Sequence, residues 1–400
     1  MVEYVGTSHL RTRARSDADA GTLLRRLDWV LLGGVAAAVA YGLWAIEGIT
    51  RNDIPNDPSH YVVRQSIFAA IGAAGLIAAL FVNPDVYRRY KRAIYLGTVG
   101  TMIFILVAGA AARGSTRWID VGFFRFQPSE FGKLLFVLCI GGLLADRGRR
   151  AGEWRTVFEA LGFAAVPIVL VFLQPDLGTA LVYGAALAAV LYLAGTRWWQ
   201  LAVLALVALA AAVAILWALP AAGIQVLKPY QQLRLTGFTN PDSDPRGATY
   251  HVHQSVLAVG AGGLTGQGVS GATQTSLDFL PEHATDFAFA SLAEQRGFLG
   301  ASILLLLYLL VVWRGLKVIT VARDAFSAIV AAGIVVALLF QIFVNIGMTI
   351  GIAPITGIPL PFVSVGGSSM IANLLAIGVL EAIHLRGTNA RRTGRRPAVR

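Results

Sequence analysis

The chain alternates between long apolar stretches and short polar segments over most of its length. A helix of about 20 apolar residues crosses a hydrocarbon core of about 30 Å. In the longest apolar region, the polar breaks at residues 174–176 and 196–197 are natural helix ends. The pattern predicts ten membrane-spanning helices, at residues 29–48, 62–82, 94–112, 128–145, 156–173, 178–195, 198–219, 298–313, 326–347 and 367–385.

One segment, residues 220–297, interrupts this pattern between the seventh and eighth spans. It holds charged residues, three histidines and dense glycine. Long polar loops are where rigid scaffolds tend to display binding and catalytic residues. We therefore predict an all-α polytopic membrane protein with a basic N-terminal tail (1–28), a ten-span domain that includes this large loop (29–385), and a basic C-terminal tail (386–400).

Composition and charge support a membrane protein and predict its orientation. The chain is 56% hydrophobic and 14% charged, which lies outside the soluble range. A net charge of +11 would suggest nucleic acid as the partner of a soluble protein, but in a membrane protein positive charge collects in cytoplasmic loops. With both termini inside, the tails and inner loops hold 23 of the 33 lysines and arginines. Residues 220–297 are then outside, and the single Cys139 excludes a disulfide framework.

Charged residues at the start of the fourth span leave two interpretations open. Pro128, Ser129 and Glu130 are typical of a helix start, where an acidic side chain favours the positive end of the helix dipole. Lys133 lies one turn further on the same face and can pair with Glu130. Because a lysine at membrane depth needs a partner or a wet cavity, a structural ion pair and a cationic ligand site fit equally well. Asp176, beyond the fifth span, is interpreted as a helix N-cap.

The segment before the last span is apolar and yet broken by proline and glycine at residues 354–361. Such residues at membrane depth predict a re-entrant or kinked segment that is buried in protein or lines a cavity. Packing of helices through small residues is the alternative. The backbone amides of Gly366, Gly367 and Ser368, which precede a helix, could bind an anion.

The large loop carries two weaker motifs. Residues 266–271 match the dinucleotide fingerprint letter for letter, but that fingerprint requires the strand and helix of a βαβ unit. A flexible or substrate-hugging glycine loop is the better interpretation. His251 and His253, with Glu282, His283 and Asp286 later in the chain, could suggest a zinc hydrolase. The spacing of the first two histidines suits one metal only in an extended segment, so we predict no metal site made by the protein.

Six sequence blocks together carry a resemblance to a known family. They are FQPSEFGK (126–133), QPDLGTAL (174–181), LKPYQQLR (227–234), YHVHQS (250–255), FLPEHATDF (279–287) and TGIPLPFVSVGGSS (356–369). With these blocks in this order, the chain resembles the SEDS family (shape, elongation, division and sporulation). Asn240–Pro241 and Asp244–Pro245, together with Tyr250–His251, favour the elongation branch of that family over the division branch.

The resemblance implies a peptidoglycan glycosyltransferase that polymerises lipid II at the outer face of the bacterial plasma membrane. It also implies a partner, a class B penicillin-binding protein that acts as the transpeptidase. The family's catalytic aspartate falls on Asp286, and Glu282 and Thr285 match the same block. The family places histidine directly before the threonine, whereas this chain has His283 one position earlier and Ala284 in its place. No role is therefore carried over to His283.

The residues suit this chemistry. An acceptor hydroxyl loses a proton as it attacks the anomeric carbon with inversion, and Asp286 can act as the general base. The leaving lipid diphosphate needs cationic or metal stabilisation. No tightly bound cofactor is expected, and Mg²⁺ or Mn²⁺ held mainly by the diphosphate fits a site with few carboxylates. The expected substrate contacts are Lys133, Glu130, Arg117, Arg64, Arg234, Glu282, Thr285, Ser364, Gly366, Gly367 and Ser368.

Other functions remain open from the sequence. Ten spans, intramembrane charge and broken helices are also typical of transporters, including lipid flippases. Against that function, the polar blocks cluster on the predicted outer side. A non-catalytic scaffold for cell-wall enzymes is less attractive because of the Thr285–Asp286 pair, and a division-type glycosyltransferase is the alternative within the family.

Overall fold

Helices make up most of the computed structural model, which describes residues 25–108, 110–112, 115–122, 124–237, 248–277 and 279–392. The parts of the predicted tails at residues 1–24 and 393–400 lie outside the described residues, and so do Asn240–Pro241 and Asp244–Pro245. The helices are α1 Trp29–Ile49, α2 His60–Phe81, α3 Pro84–Arg89, α4 Lys91–Ala108, α5 Pro128–Arg147, α6 Trp154–Leu173, α7 Leu177–Ala194, α8 Trp198–Val213, α9 Pro229–Thr236, α10 Ala248–Ala261, α11 Ala288–Val321, α12 Ala325–Thr349 and α13 Gly367–Arg392. The strands are β1 Ala110–Ala112, β2 Ser115–Val121 and β3 Phe124–Phe126, and short helical turns cover Gly148–Gly152, Ala214–Ala218, Leu219–Ala221, Gly268–Gly271 and Thr273–Ser276.

The length and apolarity of the helices confirm a polytopic membrane protein. Within the described residues, nine helical segments are long and apolar enough to cross a membrane. The count of ten spans and the division into tails and a membrane domain stay predictions. Helices α5, α12 and α13 are largely buried, whereas Gln200 is the one buried residue of α8. The bundle therefore packs around α5, α12 and α13, with α8 at its rim.

Carboxylate caps begin three of these helices. Asp176 accepts a hydrogen bond from the Thr179 amide at 3.2 Å, at the start of α7. Asp324 accepts one from the Ser327 amide at 2.9 Å, at the start of α12, and Asp28 caps α1 in the same way. Each cap satisfies an N–H group that helix geometry leaves without an intrahelical partner. The interpretation of Asp176 as an N-cap is confirmed.

The third predicted span ends in the wrong place. Helix α4 ends at Ala108, and the chain then enters a three-stranded antiparallel sheet in the order β1-β2-β3. Strands β2 and β3 pair with Ile119 opposite Phe126. The all-α expectation is wrong for this segment, because a short apolar run such as residues 110–112 does not distinguish a helix end from a strand.

The eighth predicted span also differs from the structure. Helix α11 begins at Ala288, before the predicted start at residue 298, and its course breaks at Gly297, where φ is 64°. The glycine-rich loop packs against this break, since a Cβ atom on Gly266 would lie 2.6 Å from the Arg296 Cα atom. Close packing, rather than flexibility, accounts for the glycine there.

The helical pattern is broken before α13, as predicted, by an irregular segment that we call the re-entrant segment. Residues 350–366 are almost entirely non-helical and mostly buried between α12 and α13. They lie against α1, because a Cβ atom on Gly42 would collide with the Phe362 carbonyl oxygen and lie 3.0 Å from the Val363 Cα atom. The fold therefore holds an irregular backbone inside a helical bundle, where its polar groups need protein partners.

We expect the Gly42→Ala variant to lower the free energy of unfolding by about 1–3 kcal/mol, because the added methyl group overlaps the Phe362 carbonyl. Gly33→Ala is the matched control in the same helix, since Gly33 has no neighbouring atom within 4 Å of such a methyl group. Thermal unfolding in detergent measures both variants. Equal melting temperatures would contradict the close approach of α1 to the re-entrant segment.

Candidate active site

The predicted catalytic carboxylate lies at the end of a tight turn, residues 280–287. The amides of Thr285 and Phe287 both donate to the Glu282 carbonyl oxygen, at 3.1 and 3.2 Å. The Thr285 hydroxyl also donates to the Glu282 carboxylate at 2.9 Å. Glu282 has a φ of 57°, a left-handed conformation that costs about 1–3 kcal/mol outside glycine. The surroundings must therefore hold the turn in place, and Asp286 with it.

Three hydrogen bonds join this turn to the re-entrant segment and α12. The Ser364 hydroxyl donates to the Thr285 carbonyl oxygen at 2.5 Å, and the Val365 amide donates to the Ala284 carbonyl oxygen at 2.9 Å. The Asn345 side-chain amide donates to the Asp286 carbonyl oxygen at 2.9 Å. The backbone on both sides of Asp286 is thus fixed by segments that are distant in sequence.

Asn345 is the central member of this set. It is fully buried, and its Nδ2 atom donates to the carbonyl oxygens of both Asp286 and Ile358, at 2.9 and 2.7 Å. On the re-entrant segment, Gly357 has a φ of 70°, and a Cβ atom there would lie 3.4 Å from the Asp286 carboxylate. The half-buried Asp286 side chain therefore lies against backbone that only glycine adopts easily.

His283, which departs from the family pattern, binds the turn to the loop between α1 and α2. Its Nε2 atom lies 3.0 Å from the Asp53 carboxylate, and its Nδ1 atom lies 3.2 Å from the Leu280 carbonyl oxygen. The His283 side chain is 10% exposed. The structure thus gives this histidine a tethering role that its sequence position alone did not reveal.

Lys133 and Glu130 form a buried ion pair at the start of α5. The Lys133 ammonium group lies 2.8 Å from the Glu130 carboxylate and donates to the Gln341 side-chain oxygen at 3.0 Å. These three side chains line a cavity of about 30 Å³, with Asn373 on α13 at its wall. The ion pair is confirmed, and the ligand-holding role stays a prediction.

Helix α12 links this cluster to the turn that carries Asp286. Gln341 contacts Lys133, and Asn345, one helical turn further along, contacts the Asp286 backbone. The four-residue step from Gln341 to Asn345 corresponds to a rise of about 6 Å along the helix axis. The buried lysine and the Asp286 turn are therefore attached to consecutive turns of the same helix.

Arg117 belongs to a neighbouring polar network. Its guanidinium lies 3.8 Å from the Asp176 carboxylate and stacks over the Trp118 ring at 4.6 Å. Asp176 also accepts a hydrogen bond from the Gln127 side chain at 2.9 Å. Arg117, one of the predicted cationic contacts, thus lies beside a carboxylate at the start of α7.

Arg64 and Arg234 lie on two elements that contact the re-entrant segment. Arg64 precedes Gln65 on α2, and the Gln65 side chain donates to the Ser364 carbonyl oxygen at 3.0 Å. The Arg234 carbonyl oxygen on α9 accepts a hydrogen bond from the Ile355 amide at 3.1 Å. Burial and the nearby positive charge of Arg234 together lower the pKa of His251.

The predicted contacts at the start of α13 already have protein partners. The Gly366 amide donates to the Gln65 side-chain oxygen at 3.1 Å. The Ser368 hydroxyl accepts from the Gln127 amide and donates to the Arg125 carbonyl oxygen, at 3.0 and 2.8 Å. A Cβ atom on Gly367 would lie 2.9 Å from the Phe68 ring. An anion at Gly366 would have to displace the bond to Gln65.

Four residues that organise the site were missed as site residues from the sequence: Asp53, Gln65, Gln341 and Asn345. Gln65, Gln341 and Asn345 are polar residues inside apolar helices, a costly placement that usually marks function. That signal could have identified them. Asp53, in a polar loop, gave no comparable signal.

Comparisons with known proteins show which family the chain belongs to. Residues 26–389 match the family model FtsW, RodA and SpoVE, described as cell cycle protein. The peptidoglycan glycosyltransferase MrdB of Escherichia coli K12 is 38% identical over 315 residues, which cover 79% of this chain and 83% of the relative. The stage V sporulation protein E of Bacillus subtilis is 34% identical over 328 residues, covering 81% and 87%.

Two solved structures share the fold. One, from work on the structural coordination of polymerization and crosslinking by a peptidoglycan synthase complex, matches with a TM-score of 0.76 and 29% identity, covering 90% of this chain and 98% of that one. The rod shape determining protein RodA of Thermus thermophilus matches with a TM-score of 0.64 and 27% identity, covering 90% and 96%.

We expect Asp53→Asn to loosen the turn at residues 280–287, because the neutral amide loses the charge that holds the His283 ring. Hydrogen exchange of the backbone amides of residues 279–287 should become faster by about tenfold, which corresponds to about 1.4 kcal/mol. Asp57→Asn is the control in the same loop, since Asp57 is exposed and contacts His60 instead. Unchanged exchange in Asp53→Asn would show that the contact does not hold the turn.

Proposed function

The chain belongs to the family of FtsW, RodA and SpoVE cell cycle proteins and is a peptidoglycan glycosyltransferase, and we propose that it polymerises lipid II with Asp286 as the general base. The observation that carries this assignment is the fixed position of Asp286. Its backbone is held by Asn345, and Ser364 holds the preceding residue. A general base needs such a fixed position, because proton transfer requires hydrogen-bond reach to the attacking group.

In the proposed step, the acceptor sugar hydroxyl attacks the anomeric carbon of the donor. Its proton passes to the Asp286 carboxylate as the new carbon–oxygen bond forms. The bond between the anomeric carbon and the lipid diphosphate breaks, and its electron pair leaves with the diphosphate. Direct displacement inverts the configuration at the anomeric carbon.

The leaving diphosphate requires positive charge. Lys133 is the leading candidate, because it is tied through Gln341 and α12 to the Asp286 turn. Arg64 and Arg234 lie on elements that contact the re-entrant segment, and Arg117 lies beside Asp176. These four cations are the proposed diphosphate contacts, with Glu130 setting the position of Lys133.

A divalent cation would reach the site with the substrate. Within the described residues, no group of three histidine, cysteine, aspartate or glutamate side chains is arranged to hold a metal ion. The residues present therefore fit Mg²⁺ or Mn²⁺ bound mainly by diphosphate oxygens, the ligands that these ions prefer. The cation would supply charge to the leaving group.

We place the active site at the outer face of the bacterial plasma membrane, with both termini in the cytoplasm. The support is the positive charge of the tails and predicted inner loops, which hold 23 of the 33 lysines and arginines. The proposed partner is a class B penicillin-binding protein. Its support is the likeness to a peptidoglycan synthase complex that coordinates polymerization and crosslinking.

We expect Asp286→Asn to abolish polymerisation of labelled lipid II by the purified protein, because the amide cannot accept the proton. Asp120→Asn is the matched control, since Asp120 is 52% exposed in the β-hairpin and pairs with Arg125. Both are assayed with and without a candidate transpeptidase. Full activity of folded Asp286→Asn would refute the assignment of the base, and inactivity of wild type under both conditions would refute the polymerase.

We expect Asn345→Asp to lower kcat by about 10–100-fold with little change in KM, because a carboxylate cannot donate to the Asp286 and Ile358 carbonyls. Loss of such buried donors corresponds to about 1–3 kcal/mol. Gln200→Glu is the control, since Gln200 is a similarly buried amide. Its side chain donates to the Gly152 carbonyl oxygen, and neither residue belongs to the Asp286 turn. A change confined to KM would contradict a positioning role for Asn345.

A further inference from the structure

A second cavity lies where the chain enters α1 and where α13 ends, and the proposed chemistry does not use it. Its volume is about 410 Å³, which is in the range of small-molecule sites. The polar side chains at its wall are Arg25, Arg26, His384, Thr388 and Asn389. The cavity thus combines two guanidinium groups with three neutral hydrogen-bonding side chains.

The two arginines are available to an anion. Within the described part of the chain, no carboxylate forms an ion pair with Arg25 or Arg26. Arg26 donates to the Asn389 side-chain oxygen at 2.7 Å, which fixes its guanidinium at the cavity and joins the N-terminal segment to α13. The Nδ1 atom of His384 is buried and has no hydrogen-bond partner among the described residues.

The acidic residues beside this cavity are already engaged. The Asp28 carboxylate accepts hydrogen bonds from the Arg314 guanidinium at 3.0, 2.9 and 2.5 Å. Glu381, which is fully buried, accepts a hydrogen bond from the Asp28 amide. Neither carboxylate lines the cavity, so the charge that faces into it comes from Arg25 and Arg26.

The position of the cavity points to a lipid. It adjoins the start of α1, where the Trp29 side chain is 58% exposed and is followed by the exposed Val30. Tryptophan favours the level of the lipid headgroups, where its amphipathic ring meets both water and hydrocarbon. Leu27 and Val321 complete the wall with apolar surface, which suits the start of an acyl chain.

We propose that this cavity binds the phosphate headgroup of an anionic phospholipid, with Arg25 and Arg26 as the charged contacts. Guanidinium groups bind phosphate oxygens in a bidentate manner, which a lysine cannot reproduce. His384, Thr388 and Asn389 provide further hydrogen-bonding groups around the headgroup. A bound lipid would connect the N-terminal segment to α11 and α13.

The test is native mass spectrometry of the purified full-length chain, titrated with phosphatidylglycerol. The wild type should bind one molecule saturably, and the Arg25→Gln/Arg26→Gln variant should bind it at least about tenfold more weakly. Arg149→Gln/Arg150→Gln is the control, because it removes the same charge from an exposed basic pair outside the cavity. It should bind like wild type.

A further variant and two other probes complete the test. Arg26→Lys keeps the charge and loses the planar fork, so it should also weaken binding if the headgroup is held as proposed. Phosphatidylcholine, whose headgroup is neutral overall, should bind weakly. Equal weakening in both double variants would reveal general charge attraction and overturn the proposal. Tight binding of inorganic phosphate at the same residues, with no preference for phosphatidylglycerol, would assign a soluble ligand and overturn the lipid.

Discussion

The structure depends on how the backbone N–H and C=O groups of residues 350–366 find hydrogen-bond partners inside a helical bundle. Irregular backbone at membrane depth has no water to bind, so its polar groups need protein partners. Asn345 and Ser364 supply two of them, and each also binds the turn that carries Asp286. The same two side chains therefore provide hydrogen bonds to the re-entrant segment and position the turn that carries the Asp286 carboxylate.

Helix α12 turns this constraint into a fixed geometry. Buried polar side chains are costly unless they are hydrogen-bonded, and both Gln341 and Asn345 meet that condition on consecutive turns. Gln341 holds Lys133, and Asn345 holds the Asp286 turn. Glycosyl transfer from a lipid diphosphate needs a base at the acceptor and positive charge at the leaving group at a constant separation. A rigid helix supplies such a separation.

The turn is also held by the loop between α1 and α2. His283 binds the Asp53 carboxylate, so the loop between α1 and α2 secures the end of the turn opposite Asn345. The displaced histidine therefore has a structural account that does not involve the reaction. At the far end of α1, the capping Asp28 is bound by Arg314 of α11, so the helix that precedes this loop is itself anchored.

The sequence by itself determined the membrane class, most span positions and the block that contains Asp286. Apolar length and helix caps are local properties, which is why the starts of α7 and α12 could be located. It did not determine the strand at residues 110–112 or the break at Gly297, because short apolar runs fit several structures. Nor did it determine the partners of Gln65 and Asn345, since those carbonyl groups lie far along the chain and come within reach only when the helices pack. The tertiary structure alone decided which buried polar groups meet, and with them the position of the Asp286 carboxylate.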